Sequence, residues 1–238
     1  MTTWAAEPIP TDLPATPVVD EAVARHFLRR GRGLEFAMEA NWVRARLPDG
    51  EGRIVDLGCG IGTLFDAIGT HRAAGVDYKA SGLKHTHARF PMVPLLCASA
   101  EHLPFADASL DGLILQHVVE HLPEAPASCP EFYRVLRPGG VLLLLTPNAE
   151  FCDQGVFEDP THVQIFNRRD LSDILIHAGF SIVDLRTLGL PWLRRYHAIR
   201  SAWRLRRWVT EHAVALSTLP RWRWMGQTLC CAARRPLS

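Results

Sequence analysis

A glycine-rich turn is the feature of the sequence that could most directly bind a ligand. Residues 55–62 have the sequence VDLGCGIG, with glycines at Gly58, Gly60 and Gly62. Glycines in such a turn let the backbone approach a ligand closely at the N-terminus of a following helix. The GxGxG spacing differs from the GxGxxG of dinucleotide-binding turns. We therefore predict a cofactor site here, with a spacing that disfavours a nicotinamide dinucleotide.

Two acids flank this turn in the sequence. Asp56 stands two residues before the first glycine, where a carboxylate repels a pyrophosphate and favours an ammonium or sulfonium cation. Asp77 ends the second predicted strand, in GVDYKA, where a carboxylate can bind both hydroxyls of a ribose. The pair predicts a nucleoside cofactor that carries a positive charge.

Three of the eleven histidines lie in segments that could supply a general base, which histidine does well near neutral pH. His117 and His121 occur in QHVVEHL, after the fourth predicted strand, and His162 occurs in the loop FEDPTHVQIF. His162 is the preferred candidate base and His117 is the second. For His121 we favour a structural hydrogen bond.

We expect no metal in the chemistry. Asp159 and His162 have a DxxH spacing that could bind a cation, but no second cluster of carboxylates follows the fourth predicted strand. The six cysteines include no CxxC pair, which argues against a zinc site or a disulfide framework. Free cysteines indicate a reducing compartment, so we predict a cytoplasmic protein.

Helical and strand-like segments alternate through the middle of the chain. The predicted strands are Ile54-Val55, 73–77, 93–97, 111–116, 140–146, 180–188 and 227–233. The alternation is typical of βαβ units in a parallel sheet. The predicted fold is α/β, a doubly wound, Rossmann-like seven-stranded sheet with an N-terminal helical cap and a late helical insert.

The composition supports a folded protein, since 47% of the residues are hydrophobic and 21% are charged. No apolar run approaches the ~18–20 residues of a membrane span, and the N-terminus lacks the basic and apolar regions of a secretory signal. The predicted parts are an extended arm at 1–19, the cap at 20–48, a cofactor-binding domain at 49–188 and 226–238, and the insert at 189–225.

The predicted insert has an unusual composition, with eight arginines, one acidic residue and five of the seven tryptophans. Three interpretations stay open, in this order of preference. The first is a helix packed over the sheet with solvated arginines. The second is an interfacial helix that contacts anionic lipid, or a site for a lipid-linked or phosphorylated substrate. The third is nucleic-acid binding, through stacking and phosphate contacts.

Four motifs in order resemble those of class I S-adenosylmethionine-dependent methyltransferases, especially the small bacterial methyltransferase-domain proteins. The motifs are VDLGCGIGTL, GVDYKASGL, ASAEHLPFADASLDGLILQHVVEHL and RVLRPGGVLLLLTPN, and the resemblance covers about residues 50–188. It implies the same doubly wound fold, S-adenosyl-L-methionine as the cofactor, and methyl transfer as the reaction.

The resemblance also implies positions for the cofactor. The methionine end would be lined by Asp56, Gly58, Cys59, Gly60 and Gly62, the ribose held by Asp77, and the adenine flanked by Tyr78, Ser99, Ala100 and Glu101. Gln116 and His117 would lie near the sulfonium. Ser99 stands where the family usually has an aspartate that accepts from the adenine amino group, and a hydroxyl accepts without charge. Cofactor binding is then weaker, or Glu101 takes that role.

We therefore predict a methyltransferase that acts on an oxygen or nitrogen of a small molecule, such as a sugar, a lipid-linked compound or a natural product. The alternatives are a non-catalytic protein that binds S-adenosylmethionine or serves as a scaffold, an RNA methyltransferase, and an NAD-dependent oxidoreductase. Asp56 and the glycine spacing argue against the oxidoreductase.

Overall fold

The computed structural model describes residues 34–152, 154–189 and 226–237. The predicted arm at 1–19, the first part of the predicted cap, and all of the predicted insert except Gly189 lie outside these ranges. The interpretations of the arginine- and tryptophan-rich segment therefore stay predictions. No helix within the described ranges is long and apolar enough to cross a membrane.

The described elements alternate along the chain as the sequence predicts. They are α1 (Leu34–Arg44), β1 (Ile54–Leu57), α2 (Phe65–Ile68), β2 (Ala73–Asp77), α3 (Ala80–Arg89), β3 (Leu95–Cys97), β4 (Leu110–Gln116), a 3-10 turn (Val119–His121), α4 (Ala125–Val135), β5 (Leu136–Pro147), α5 (Gln154–Phe157), α6 (Arg168–His177), β6 (Ser181–Leu188) and β7 (Thr228–Arg234).

The strands form one seven-stranded sheet in the order β3-β2-β1-β4-β5-β7-β6, which confirms the predicted Rossmann-like fold. The strands from β1 to β5 pair in parallel, but β7 is antiparallel to both β5 and β6. The sheet is therefore mixed rather than parallel throughout. Leu188 at the end of β6 pairs with Thr228 at the start of β7. The chain therefore leaves β6 and enters β7 at the same edge of the sheet, and β7 runs in the opposite direction.

Both faces of the sheet are buried by helices. In β5, Leu142 and Leu144 belong to a core shared with α4 and α6, whereas Leu143 and Leu145 belong to a core shared with α1, α2 and α3. All four side chains are fully buried. A strand covered on both faces has no polar side to alternate with its apolar side, which explains the continuous apolar run of β5.

The parallel strands place their carboxyl ends at one edge of the sheet. This edge holds the glycine turn after β1, Asp77 at the end of β2, Gln116 at the end of β4 and Thr146 near the end of β5. In open α/β sheets ligands bind at this edge, near the point where the strand order reverses. The order reverses here between β1 and β4, so the functional residues are expected around these two strand ends.

Candidate active site

The glycine turn after β1 leaves space for a ligand at one position and packs tightly at another. Gly60 has φ of 52°, and a Cβ added there would meet only the Gly58 carbonyl oxygen at 4.0 Å. Gly62 has φ of 73°, and its added Cβ would lie 2.8 Å from Cγ2 of Thr86. Both conformations favour glycine. Gly62 therefore serves the packing of α3, whereas Gly60 leaves open space above the turn that a cofactor can occupy.

Asp77 joins the end of β2 to the glycine turn. Its Oδ2 accepts a hydrogen bond from the Gly60 amide at 2.8 Å, and its Oδ1 accepts one from the Lys79 amide at 2.8 Å. Burial raises the pKa of this carboxyl, and the two amide hydrogen bonds oppose that rise. Each carboxylate oxygen keeps a further lone pair that a ribose hydroxyl could use. Asp77 thus shapes the turn whether or not a ribose binds to it.

Asp56 and Cys59 lie buried beneath the same turn. Burial and the nearby charge of Asp77 raise the pKa of the Asp56 carboxyl to about 8. Burial, with the charges of both acids, also raises the pKa of the Cys59 thiol well above its usual value. A thiol held protonated is a poor nucleophile. The Asp56 carboxyl, in contrast, would ionise readily once a cation lay against it.

The predicted adenine side lies at the neighbouring strand ends. Asp77 is in register with Cys97 of β3, which brings Tyr78 and the loop 99–101 to one part of the edge. The Tyr78 side chain is 69% exposed, so its ring is open to stacking. Ser99 and Glu101 are exposed, Ala100 is buried, and the Ser99 hydroxyl accepts from the Glu101 amide at 3.3 Å. The role of these residues in binding adenine stays a prediction.

His117 follows β4 in a left-handed conformation, with φ of 56°, and lies between two buried glutamates. Its Nε2 is 3.2 Å from Glu39 Oε1, and its Nδ1 is 3.2 Å from Glu120 Oε1. Burial lowers the pKa of the His117 imidazole, but the two carboxylates outweigh burial and raise it to about 9. His117 therefore carries a proton at neutral pH and donates from both nitrogens. This geometry disfavours His117 as the general base.

The two glutamates around His117 are fixed by further hydrogen bonds. Glu39 accepts from Gln116 Nε2 and from the Thr228 hydroxyl, both at 2.8 Å, and Glu120 accepts from the Thr146 hydroxyl at 3.0 Å. Burial raises the pKa of Glu120, but the hydrogen bond from His117 and its charge hold that pKa below its usual value. The site thus joins α1, β4, β5 and β7.

Sequence reasoning did not identify Glu39 or Glu120 as site residues. A signal for Glu39 is present in the sequence, because it precedes Trp42 by three residues and Val43 by four and so lies on the apolar face of α1. A charged residue on a buried helix face requires a partner. For Glu120, the partners Thr146 and His117 become visible only when β4 and β5 are adjacent.

The loop before α6 carries His162 onto the turn after β4. The amides of Val163 and Gln164 donate to the Glu120 carbonyl at 2.8 and 3.2 Å. His162 Nδ1 lies 2.6 Å from the Val156 carbonyl, and His121 Nδ1 lies 2.8 Å from the Thr161 carbonyl. A carbonyl only accepts, so Nδ1 is the protonated nitrogen in both rings and, in the neutral form, Nε2 holds the lone pair.

The loop thereby forms a cluster that the sequence did not predict. The ring centroids of His121 and His162 are 4.8 Å apart, and each of these rings offers an atom within 4.8 Å of a Glu120 oxygen. The predicted structural role of His121 has a partner in the Thr161 carbonyl. The candidate base His162 is part of the same cluster, and its catalytic role stays a prediction.

Comparison with known proteins agrees with this geometry. Residues 55–144 match the methyltransferase domain family. A protein of Mycolicibacterium smegmatis (strain ATCC 700084 / mc(2)155), named a probable S-adenosylmethionine-dependent methyltransferase, is 36% identical over 141 residues, which are 58% of this chain and 54% of that protein. A malonyl-[acyl-carrier protein] O-methyltransferase of Laribacter hongkongensis (strain HLHK9) is 30% identical over 162 residues, 64% of this chain and 51% of that protein.

A solved structure extends the likeness to the fold. A S-adenosylmethionine-dependent methyltransferase of Thermotoga maritima superposes with a TM-score of 0.65 at 19% identity, covering 91% of this chain and 96% of that chain. The chain spans about half the length of the curated relatives that it matches.

The fold and the glycine turn with its two acids define a cofactor-binding enzyme domain of the doubly wound class. Residues 55–144 match the methyltransferase domain family, and sequence relatives are named probable S-adenosylmethionine-dependent methyltransferases, which supports the class that the motifs predict. The cofactor of this domain is S-adenosylmethionine.

Proposed function

We propose that the protein as a whole transfers the methyl group of S-adenosylmethionine to an oxygen or nitrogen of a small molecule. The observation that carries the proposal is the attachment of the His162 loop to the turn after β4. The loop holds Nε2 of His162, which has a lone pair, at the carboxyl edge of the sheet. This position is beside the end of β4, the strand next to β1 in the sheet.

The chemistry needs alignment and, for a hydroxyl acceptor, removal of one proton. In the proposed step His162 Nε2 takes the hydroxyl proton while the acceptor oxygen forms a bond to the methyl carbon. The bond between that carbon and sulfur breaks at the same time, and its electron pair returns to sulfur, so the sulfonium becomes a neutral thioether. A neutral amine acceptor attacks through its own lone pair and needs no base.

Oxygen is one of the acceptor atoms in the relatives' names, which include O-methyltransferases and C-methyltransferases. One of them is named an O-methyltransferase that acts on a malonyl group carried by a protein. We extend to this chain only the atom type, and keep sugars, lipid-linked compounds and natural products as acceptor classes. A peripheral contact with lipid through residues 189–225 is part of the same proposal, while nucleic acid is the least favoured partner.

The test is a set of turnover assays that measure S-adenosylhomocysteine release with panels of small hydroxyl and amine acceptors. With a hydroxyl acceptor, His162→Ala should reduce turnover by ~10²–10⁴-fold, the usual contribution of a positioned base, with little change in affinity for S-adenosylhomocysteine. The matched control is His177→Ala, because His177 Nδ1 also contacts a backbone carbonyl, at 2.7 Å, but on α6.

Two outcomes would contradict the proposal in different ways. Wild-type turnover by the His162 variant would show that His162 is not the base, although the protein would still be a methyltransferase. Binding of S-adenosylhomocysteine without turnover of any small acceptor would favour a non-catalytic binding protein, the alternative that the sequence leaves open.

A further inference from the structure

A carboxylate and two imidazoles converge on the turn after β4. Their candidate ligand atoms, one each from Glu120, His121 and His162, all lie within 4.8 Å of one another. Two of the three residues are adjacent in the sequence, and the third is brought by the loop. We propose that Glu120, His121 and His162 form a binding site for a divalent transition-metal cation of the zinc type.

The tautomers of the two histidines are those that a metal site requires. Each Nδ1 donates to a backbone carbonyl, His121 to Thr161 and His162 to Val156. Histidines that bind metals usually donate their other ring nitrogen in this way, which fixes the ring and raises the basicity of the ligating nitrogen. Within the described ranges neither Nε2 has a hydrogen bond, and the His162 Nε2 lies 3.9 Å from Oδ2 of Asp159, an ion-pair distance that a bound metal would replace.

Glu120 supplies the negative charge and is held in place. Its side chain is fully buried and accepts from Thr146 and His117, each through a different oxygen. A carboxylate has about four lone-pair positions, so these two hydrogen bonds leave room for a metal bond. The backbone carbonyl of Glu120 also accepts from the loop amides at 163 and 164, which keeps the third ligand near.

The ligand set selects the class of cation. Two imidazoles and one carboxylate are typical of zinc and of related first-row divalent ions, whereas magnesium prefers oxygen ligands alone. Ligands of a tetrahedral zinc lie about 3.4 Å apart, since each bond is about 2.0–2.2 Å. The ligand atoms lie within 4.8 Å of one another, so metal binding would need only a small closing of the cluster.

Three protein ligands leave at least one coordination position open, as in catalytic zinc sites. An acceptor hydroxyl in that position would lose its proton to solvent more readily, because the cation stabilises the oxyanion. In the metal-bound protein His162 would then act as a ligand, and direct proton abstraction by its ring would be replaced. The inference goes beyond the proposed function because cation binding is a property of the protein without cofactor or acceptor.

The test measures metal binding in the absence of cofactor and acceptor. Full-length protein without an affinity tag is stripped with a chelator and titrated with Co²⁺ and Zn²⁺ against a competing chelator, and with Mg²⁺ as the comparison. We expect one equivalent of Co²⁺ per chain, a tetrahedral or five-coordinate d–d spectrum, and no thiolate-to-cobalt charge-transfer band. His121→Ala and His162→Ala should each weaken binding by at least about 100-fold, and His177→Ala should not.

Any of three results would overturn the proposal. They are no cobalt or zinc binding by the wild-type protein, wild-type affinity in either histidine variant, or a thiolate band that assigns the metal to the cysteines. Circular dichroism of each variant separates ligand loss from unfolding, since both histidines lie on turns and loops and not in the apolar core. Because no turnover is measured, failure here leaves the methyl-transfer proposal to be judged by its own assay.

Discussion

At the ends of β1 and β2 the site is a glycine turn with two buried acids, and at the end of β4 it is a network of hydrogen-bonded side chains. The first part consists of a glycine turn whose amide at Gly60 is held by Asp77, seventeen residues along the chain. In the second part, His117 lies between Glu39 and Glu120, and Glu39 is joined to Thr228 across 189 residues.

The charges of the two parts differ as well. Around the glycine turn two buried acids lie near each other with no buried base between them, and burial raises the pKa of both. Around His117 a buried base lies between two acids, and the pKa of Glu120 is lowered. The first arrangement gains from an added cation, whereas in the second the His117 imidazolium offsets one of the two carboxylate charges. This difference favours the first part for the cationic cofactor and leaves one carboxylate charge in the second.

The largest expected effect tests whether the backbone at Gly60 is the cofactor site. Gly60→Val places a branched side chain in the open space above the turn, where a ligand must approach. Affinity for S-adenosylhomocysteine should fall below detection in calorimetry, and the ligand-induced rise in melting temperature should vanish.

The matched control is Gly50→Val. Gly50 also has a left-handed φ, 77°, and an added Cβ there meets nothing within 4 Å. Both variants carry the same kind of backbone strain, but only Gly60 borders the proposed cofactor. Equal loss of binding in both, or a collapse of the far-ultraviolet spectrum in the Gly60 variant alone, would show that Gly60 serves folding.

The contrast between the two parts also explains how much the sequence predicts. The seven strands and most helices follow from apolar runs separated by turns, and the glycine turn with its acids is contiguous in the sequence. Helix α2 begins at Phe65 rather than near 62, because Gly62 packs against Thr86 in a left-handed conformation. The antiparallel β7 depends on where the chain re-enters the sheet, which no local pattern records.

The acceptor side could be predicted only in part. His117, His121 and His162 are visible as residues of suitable chemistry, but their roles depend on what surrounds them. Glu39 raises the pKa of His117 from a helix 78 residues away, and the loop turns His162 toward Glu120 through backbone hydrogen bonds. Contacts of that range are set by the fold and have no periodicity in the sequence.

A smaller effect concerns the pH dependence of cofactor affinity. Asp56 keeps its proton up to a pH of about 8 in the free protein, and a bound ammonium or sulfonium favours the ionised carboxylate. Binding should therefore release nearly one proton at neutral pH, and affinity should rise with pH toward 8 by at most about tenfold per pH unit. The measurement is calorimetry of S-adenosylhomocysteine in buffers of different ionisation enthalpy.

Asp56→Asn should abolish that proton release, and Asp173→Asn, on the exposed face of α6, should keep it. The raised pKa of Asp56 also makes the ligand-free protein less stable as the pH rises from about 4 to about 8. The reason is that the Asp56 carboxyl loses its proton at a lower pH in the unfolded chain than in the folded protein. Proton release that persists in the Asp56 variant would assign the titration to another group and remove the charge contrast between the two parts.

The smallest expected effect tests whether the acceptor side depends on how α1 is anchored. Asp184 of β6 accepts from Arg46, at 2.6 Å, and from Trp42, at 3.3 Å, and so fixes the end of the helix that carries Glu39. Burial raises the pKa of Asp184, but Arg186 and Arg46 outweigh burial and lower it. Asp184→Asn should reduce stability at neutral pH by about 1–2 kcal/mol, or about 2–8 °C in melting temperature.

The sign of its pH dependence makes this prediction specific. A carboxyl whose pKa is lowered in the fold stabilises above its unfolded pKa, and that stability is lost as the pH falls. The difference in stability between wild type and Asp184→Asn should therefore shrink toward pH ~3. The control, Asp173→Asn, removes an exposed ion pair with Arg169 at 3.6 Å. It should change stability by less than about 0.5 kcal/mol at every pH. Affinity for S-adenosylhomocysteine should stay near the wild-type value in both, because Asp184 holds α1 through Trp42 and Arg46, which follow Glu39 in the chain. A clear loss of that affinity in Asp184→Asn would mean that α1 supports the glycine turn too, and the two parts of the site would then have to be treated as one.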